Sequence, residues 1–189
     1  MIGKLLDLAG LDTGFAQSDA ERDACYAIRY QVYVEEQGRQ PPLADHARKL
    51  DRNADDASGL LMYVRSNDAI VGTLRLHHGH DTGIPPFVRE ACKLPDDPAA
   101  LKHVAAISRL AIAAEHRGSR ATVSLFRATF AWLNAAPRST QQLYILALDE
   151  PKLIAMYRML GFKLLEPERR YTTDLGSTVP MVCTVKPGV

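Results

Sequence analysis

The stretch Ile107 to Thr122, ISRLAIAAEHRGSRAT, carries residue types suited to holding an anion. Arg117 and Arg120 flank Gly118 and Ser119 where an alternating segment gives way to a helical one. A strand feeding a loop that opens a helix leaves backbone N–H groups pointing outward. With the positive end of the helix dipole they suit a phosphate-rich ligand. The same pattern serves in any β–loop–α unit, so these residues alone leave both readings open. Arg75 lies on a strand whose two faces are both expected to be partly covered. A charge in that place needs either an ion-pair partner or an anionic ligand. Tyr157 shares a helical face with Leu153 and Leu160, so it points inward while its hydroxyl needs a partner. His77, His78 and His80 match no zinc spacing and have no cysteine nearby, so they read as a strand end running into a loop and not as a metal site.

The elements that must position these groups follow from periodicity. In Ile107 to Ala113, Ser108, Leu110 and Ile112 alternate with Arg109, Ala111 and Ala113, the period of a strand. From Arg120, the residues Val123, Phe126, Phe130 and Leu133 fall on one face of a helix. An edge strand near Thr13 to Gln17 precedes Ser18-Asp19-Ala20-Glu21, a capping box that starts a helix running to about Glu36 and ending near Gly38. Cys25, Ile28 and Val32 form its apolar stripe, and Arg29 and Tyr33 lie on a neighbouring face, where Arg29 is either a site residue or a solvated surface arginine. Gln37 to Ser58 is polar, holds Asp45, Asp51, Asp55 and Asp56, and reads as a long loop without secondary structure of its own. Leu60 to Arg65 and Ala69 to His77 read as a hairpin, and Phe87 to Cys92 as a helical turn. Leu143 to Leu148 reads as a buried strand. Pro151 then opens a helix that Gly161 stops. Strands at Phe162 to Leu165 and Val179 to Val185 complete a mixed sheet with helices on both sides.

The 189 residues suffice for one domain spanning 1–189 with a core of its own, and the net charge of +1 argues against a general polyanion binder. No basic stripe points to nucleic acid. The three scattered cysteines, Cys25, Cys92 and Cys183, fit a reducing compartment. The opening MIGKLLDLAGL lacks the long apolar core of a signal peptide, and no run is long enough to span a bilayer, so a cytoplasmic protein without a transmembrane segment is expected.

SRLAI…HRGSRAT followed by MYRMLGF resembles the GNAT superfamily of acyl-CoA N-acyltransferases, over about Thr13 to Val185. The resemblance implies an α/β GNAT fold: a mixed, mostly antiparallel sheet with helices on both faces and a splayed central strand pair. It implies a thioester arm pairing with the backbone of Leu110, Ala111 and Ile112. It places the donor's phosphate on Arg117, Gly118, Ser119, Arg120, Ala121 and Thr122. Arg120 and Thr122 stand where that family's loop has small residues, a departure that suits a phosphate carrier other than CoA. Tyr157 matches the family's tyrosine that returns a proton to the departing thiolate. The N-terminal half, IRYQVYVEE then LDRNADDASGLLMYV then IVGTLRLHH, is similar to the autoinducer-synthase and long-chain N-acyl amino acid synthase branch. Arg29, Tyr33, Asp51, Asp55, Arg75 and Arg109 fall on that branch's characteristic positions. Gly38 and Arg39 replace its tryptophan and Ala106 its glutamate, which argues against lactone synthesis.

The implied activity is N-acyl transfer from an acyl-CoA or acyl carrier protein thioester, without a metal, to a small-molecule amine such as an amino acid. Asp51 and Asp55 lead as the base that deprotonates the amine, ahead of Glu35. A strand N–H near Leu110 or Ala111 would steady the carbonyl oxygen. Arg75 or Arg109 would clamp an acceptor carboxylate or hold the acidic loop. An acetyl-CoA-dependent N-acetyltransferase and a non-catalytic thioester- or protein-binding module of the same fold are the competing readings. Acyl carrier protein is the macromolecular partner implied, and a homodimer is compatible with the reading.

Overall fold

A computed structural model describes residues 10–117, 120–135 and 139–185. In chain order the elements are β1 (Leu11–Phe15), α1 (Asp19–Tyr30), a π-helix (Gln31–Glu36), β2 (Ala44–Asp45), β3 (Leu50–Asp51) and a 3-10 helix (Ala54–Ala57). Next come β4 (Leu60–Ser66), β5 (Ala69–His78), α2 (Pro86–Cys92), β6 (Val104–Ile112), a 3-10 turn (Ala114–His116) and α3 (Arg120–Asn134). The last are β7 (Gln142–Leu148), α4 (Pro151–Met159), β8 (Lys163–Leu164), β9 (Tyr171–Thr173) and β10 (Gly176–Thr184). The chain forms two compact units, one of residues 10–76 with Arg109–Trp132 and one of His77–Ser108 with residues 133–185. β6 contributes to both.

The first unit carries the strand order β1-β4-β5-β6, with β1 on β4 and β4 on β5 antiparallel. The Ser18–Glu21 capping box starts α1 as its spacing requires, the Ser18 hydroxyl accepting from the Glu21 N–H at 3.2 Å. The helix continues to Glu36, but its last six residues, Gln31–Glu36, wind as a π-helix. Its end is closed by the Arg39 N–H on the Tyr33 carbonyl and the Gly38 N–H on that of Val34. That closure needs Gly38 at φ +66°. Cys25, Tyr26, Leu50, Leu61 and Tyr63 pack into one apolar cluster beneath α1.

Two expectations change in this unit. The segment 37–58 is not featureless: β2 and β3 pair as a small hairpin and the 3-10 helix follows. Strands of two residues are too short for a period of two to register. On α3 the buried face is Ala121, Leu125, Phe126, Ala128, Thr129, Trp132 and Leu133, while Val123 is 49% exposed. Spacing places Val123 with Phe126, yet among the described residues no neighbouring element covers that side of the helix's first turn.

The second unit carries the order β6-β7-β10-β8, with β9 on β10. β6 and β7 run parallel, paired from Val104↔Gln142 to Ile107↔Ile145. β10 runs antiparallel to β7 from Thr178↔Leu148 to Thr184↔Gln142. β9, which the sequence pattern did not separate from its flanking turns, pairs with the start of β10. Ile84, Val88, Cys92, Leu101, Val104, Ala106 and Tyr144 form the core here.

Gly79 is a tight joint of this unit. A Cβ there would meet the Leu101 carbonyl oxygen at 1.9 Å, and the Gly79 N–H is already fixed on the Val104 carbonyl at 2.9 Å. Neither side is a flexible side chain, so Gly79→Ala is expected to cost about 3 kcal/mol, the upper end of overpacking effects. Calorimetry should read that as a fall in Tm of roughly 6–12 °C.

Candidate active site

The 3-10 helix Ala54–Ala57 begins with a capping box. The Asn53 side chain accepts from the Asp55 N–H at 3.0 Å, and Asp56 Oδ2 accepts from the Asn53 N–H at 2.8 Å. The box turns the other oxygen of Asp56 toward two arginines. Arg29 Nη1 donates to both Asp56 oxygens, at 2.9 and 3.0 Å. Arg75 Nη1 reaches Asp56 Oδ1 at 3.2 Å and Asn53 Oδ1 at 2.9 Å, while Arg75 Nη2 reaches Asp55 Oδ2 at 3.4 Å. Arg29 and Arg75 are fully buried. Arg29 is therefore no surface arginine, and the charge on β5 finds an ion pair.

A second pair lies in the same unit: Arg109 Nη1 stands 3.5 Å from Asp51 Oδ2, both side chains buried. Three buried or nearly buried cations thus face the carboxylates of Asp51, Asp55 and Asp56, which is the balance a low-dielectric interior requires. Burial alone would raise the Asp56 carboxyl. The charges of Arg29 and Arg75 and the hydrogen bonds from Arg29 and the Asn53 amide outweigh it and hold the group below its usual range. Arg75 is drawn below the ordinary guanidinium value, first by burial and then by Arg29 and Arg109, with Asp56 opposing.

The hairpin that delivers Asp51 is strapped to the first helix. Arg48 and Arg52 reach the two oxygens of Asp23 at 2.8 and 2.7 Å, Lys49 reaches Glu35 at 2.9 Å, and the Tyr30 hydroxyl and His46 Nδ1 are 2.9 Å apart. Exposed pairs of this kind are screened by water and contribute little to stability. Glu35, the lesser candidate for a base, is spent on Lys49 at the surface.

Tyr33, in the π-helix, is buried and donates its hydroxyl to the Leu110 carbonyl at 2.8 Å. Burial pushes its phenol up to about 12. Just before Leu110, Arg109 has φ +56°, a left-handed residue inside a strand. The unbroken alternation expected for this strand is therefore interrupted at Arg109: Leu110 is half-buried while Ala111 and Ile112 are buried. Conformations of this kind cost on the order of 1–3 kcal/mol and cluster at functional sites.

Of the expected phosphate loop, Gly118 and Ser119 lie outside the described residues. Arg117 donates Nε to the Ile112 carbonyl at 2.9 Å and pairs its Nη2 with Glu36. Arg120 is exposed at the start of α3, Ala121 is buried and Thr122 half-buried. Tyr157 belongs to the second unit, where it is buried with its ring edge-on to Phe162, centroids 5.7 Å apart. The histidines end β5 as expected: His78 and His80 each face one oxygen of Asp81, at 3.2 and 3.1 Å. Among the described residues no group of three or more His, Cys, Asp or Glu is placed to hold a metal ion, and no helix is long and apolar enough to cross a membrane.

The structure thus brings Arg29, Asp55 and Arg75 together, Asp51 with Arg109, and Tyr33 with Leu110. Asp56, the hub, was read from the sequence only as one of four acidic residues. The Asn53-x-x-Asp56 capping pattern was the signal that could have singled it out.

FeeM, an N-acyl amino acid synthase from uncultured soil microbes, matches with a TM-score of 0.70 at 19% identity, covering 93% of this chain and 91% of that one. The AHL synthase LasI matches at 0.68 and 16% identity, over 93% and 89% of the two chains. An acyl-CoA N-acyltransferase from Pseudomonas aeruginosa matches at 0.61 and 18% identity, over 92% and 99%. No curated protein matches the chain significantly in sequence. The mixed, mostly antiparallel architecture of α/β type is the GNAT fold of these acyltransferases. The sequence profile of the N-acyl amino acid synthase FeeM matches residues 24–184, a span that holds every charged residue of the cluster, and Tyr157 with them. This chain is an N-acyltransferase and belongs to the FeeM family of N-acyl amino acid synthases.

Proposed function

We propose that the chain, as one acyltransferase domain, moves a medium or long acyl group from a thioester to the amine of an amino acid or a close derivative. Acyl carrier protein is the preferred donor over CoA. The observation that carries this reading is the buried Arg29–Asp56–Arg75–Asp55 network, within a chain whose family makes N-acyl amino acids. Arg75 serves the acidic loop, being committed to Asn53, Asp55 and Asp56.

Asp55 takes the proton from the incoming amine. Its side chain is 31% exposed, against 5% for Asp56 and 1% for Asp51, so it is the carboxylate that a substrate can reach. Asp51 holds Arg109. The neutral amine attacks the thioester carbonyl, whose oxygen gains charge and is met by the Leu110 N–H. The intermediate collapses: its nitrogen gives up a second proton to solvent, the C–S bond breaks, and Tyr157 gives the thiolate a proton that the phenol regains from solvent. The thioester arm lies along Leu110, Ala111 and Ile112. Its phosphate sits at the start of α3 with Arg117, Gly118, Ser119, Arg120, Ala121 and Thr122. A thiolate leaves readily, so Tyr157→Phe is expected to lower kcat only about tenfold, well under the usual range for general acids. Steady-state kinetics with the preferred donor measures this.

The test is thiol release by the purified protein from acetyl-CoA, a long-chain acyl-CoA or a long-chain acyl carrier protein. Each donor is offered with pooled amino acids and S-adenosylmethionine, and products are identified by mass. Release from long donors with an N-acyl amino acid formed supports the proposal. Release from acetyl-CoA alone would make the chain an acetyltransferase. Thioester binding without release would make it a binding module.

A further inference from the structure

The Ala113 N–H donates to the Val71 carbonyl of β5 at 2.9 Å, and the Ala111 carbonyl lies beside Gly72 of the same strand. Successive residues of a strand turn their peptide groups to opposite sides. The N–H and C=O of Leu110 therefore point away from β5. Leu110 directly follows left-handed Arg109, where the backbone is least held by its own preference. On that side the Tyr33 hydroxyl donates to the Leu110 carbonyl at 2.8 Å.

Tyr33 is itself well fixed. It sits in a π-helix, an insertion that is uncommon and often found at functional sites. Its own carbonyl is held by the Arg39 N–H at 2.9 Å. A phenol held near 12 remains protonated, and hence a donor, at any working pH.

We infer that Tyr33 is a positioning residue for acyl transfer, its hydroxyl holding the Leu110 carbonyl so that the N–H of the same residue is aimed at the thioester oxygen as charge develops there. The inference rests on the acyl-transfer reading above. A hydroxyl is required for this role, which a phenylalanine of the same shape cannot fill.

Tyr33→Phe and Tyr33→4-aminophenylalanine test it, the second keeping an N–H donor at the ring's far end. Both are compared with wild type in thiol release from a long-chain acyl carrier protein, with melting temperatures measured alongside. Tyr33→Phe is expected to lower kcat about 10–30-fold, less than outright loss of an oxyanion donor, with both KM values within about twofold. The aminophenylalanine variant should return kcat to within about threefold of wild type. A purely structural role would lower the melting temperature without this split. Tyr33→Phe turning over like wild type, a rise in acceptor KM at unchanged kcat, or two equally slow variants would each overturn the inference while leaving acyl transfer standing. A wild type inactive with every donor would overturn the acyl-transfer reading, and this inference with it.

Discussion

Asp56→Asn is expected to lower the free energy of unfolding by about 3–5 kcal/mol, the cost of removing one partner from a buried ion pair. The substitution keeps the size of the side chain and removes the charge that offsets both Arg29 and Arg75, each fully buried and each hydrogen-bonded to the carboxylate. Urea denaturation followed by circular dichroism measures it; a loss below about 1 kcal/mol would show that the arginines find other partners. The pH dependence follows from the same group. Its folded-state pKa lies below the unfolded value of 3.8, so its contribution is fully present above that pH. Stability falls as the pH drops through the folded value, and the acid limb should be shallower in Asp56→Asn than in wild type.

The neighbouring residue should behave in the opposite way. Asp55→Asn is expected to reduce kcat/KM by about 10²–10⁴, the range for loss of a general base, while costing less than about 1 kcal/mol of stability. The 3-10 helix is capped through the Asp55 backbone N–H, which asparagine keeps. Arg75 retains Asn53 and Asp56. Initial rates at saturating donor, with a urea titration of the same sample, separate the two effects. Unchanged turnover would move the base to Asp51 or to a water chain. A large loss of stability would instead make Asp55 part of the structural network. Two adjacent aspartates with opposite consequences are what the geometry requires, because one faces the buried arginines and the other is a third exposed.

Local chemistry was legible in the sequence. The Ser18–Glu21 box, the Gly38 and Gly161 ends, the β4–β5 hairpin and α3 from Arg120 each depend on residues within a few positions of one another, and all were recovered. So was the family, since IRYQVYVEE, LDRNADDASGLLMYV and IVGTLRLHH carry the resemblance to its branch. The tertiary structure alone decided which carboxylate is the hub and that Val123 is exposed on its helix. The Asn53-x-x-Asp56 pattern marks Asp56 among the four aspartates as a cap, and nothing local marks it as the partner of two arginines. It is the hub because Arg29, 27 residues away, and Arg75, 19 residues away, converge on it. The left-handed turn of Arg109 is likewise invisible in an alternating run. Its cost is borne by contacts from a buried aspartate and a tyrosine far off in the chain, and no local pattern encodes contacts of that range.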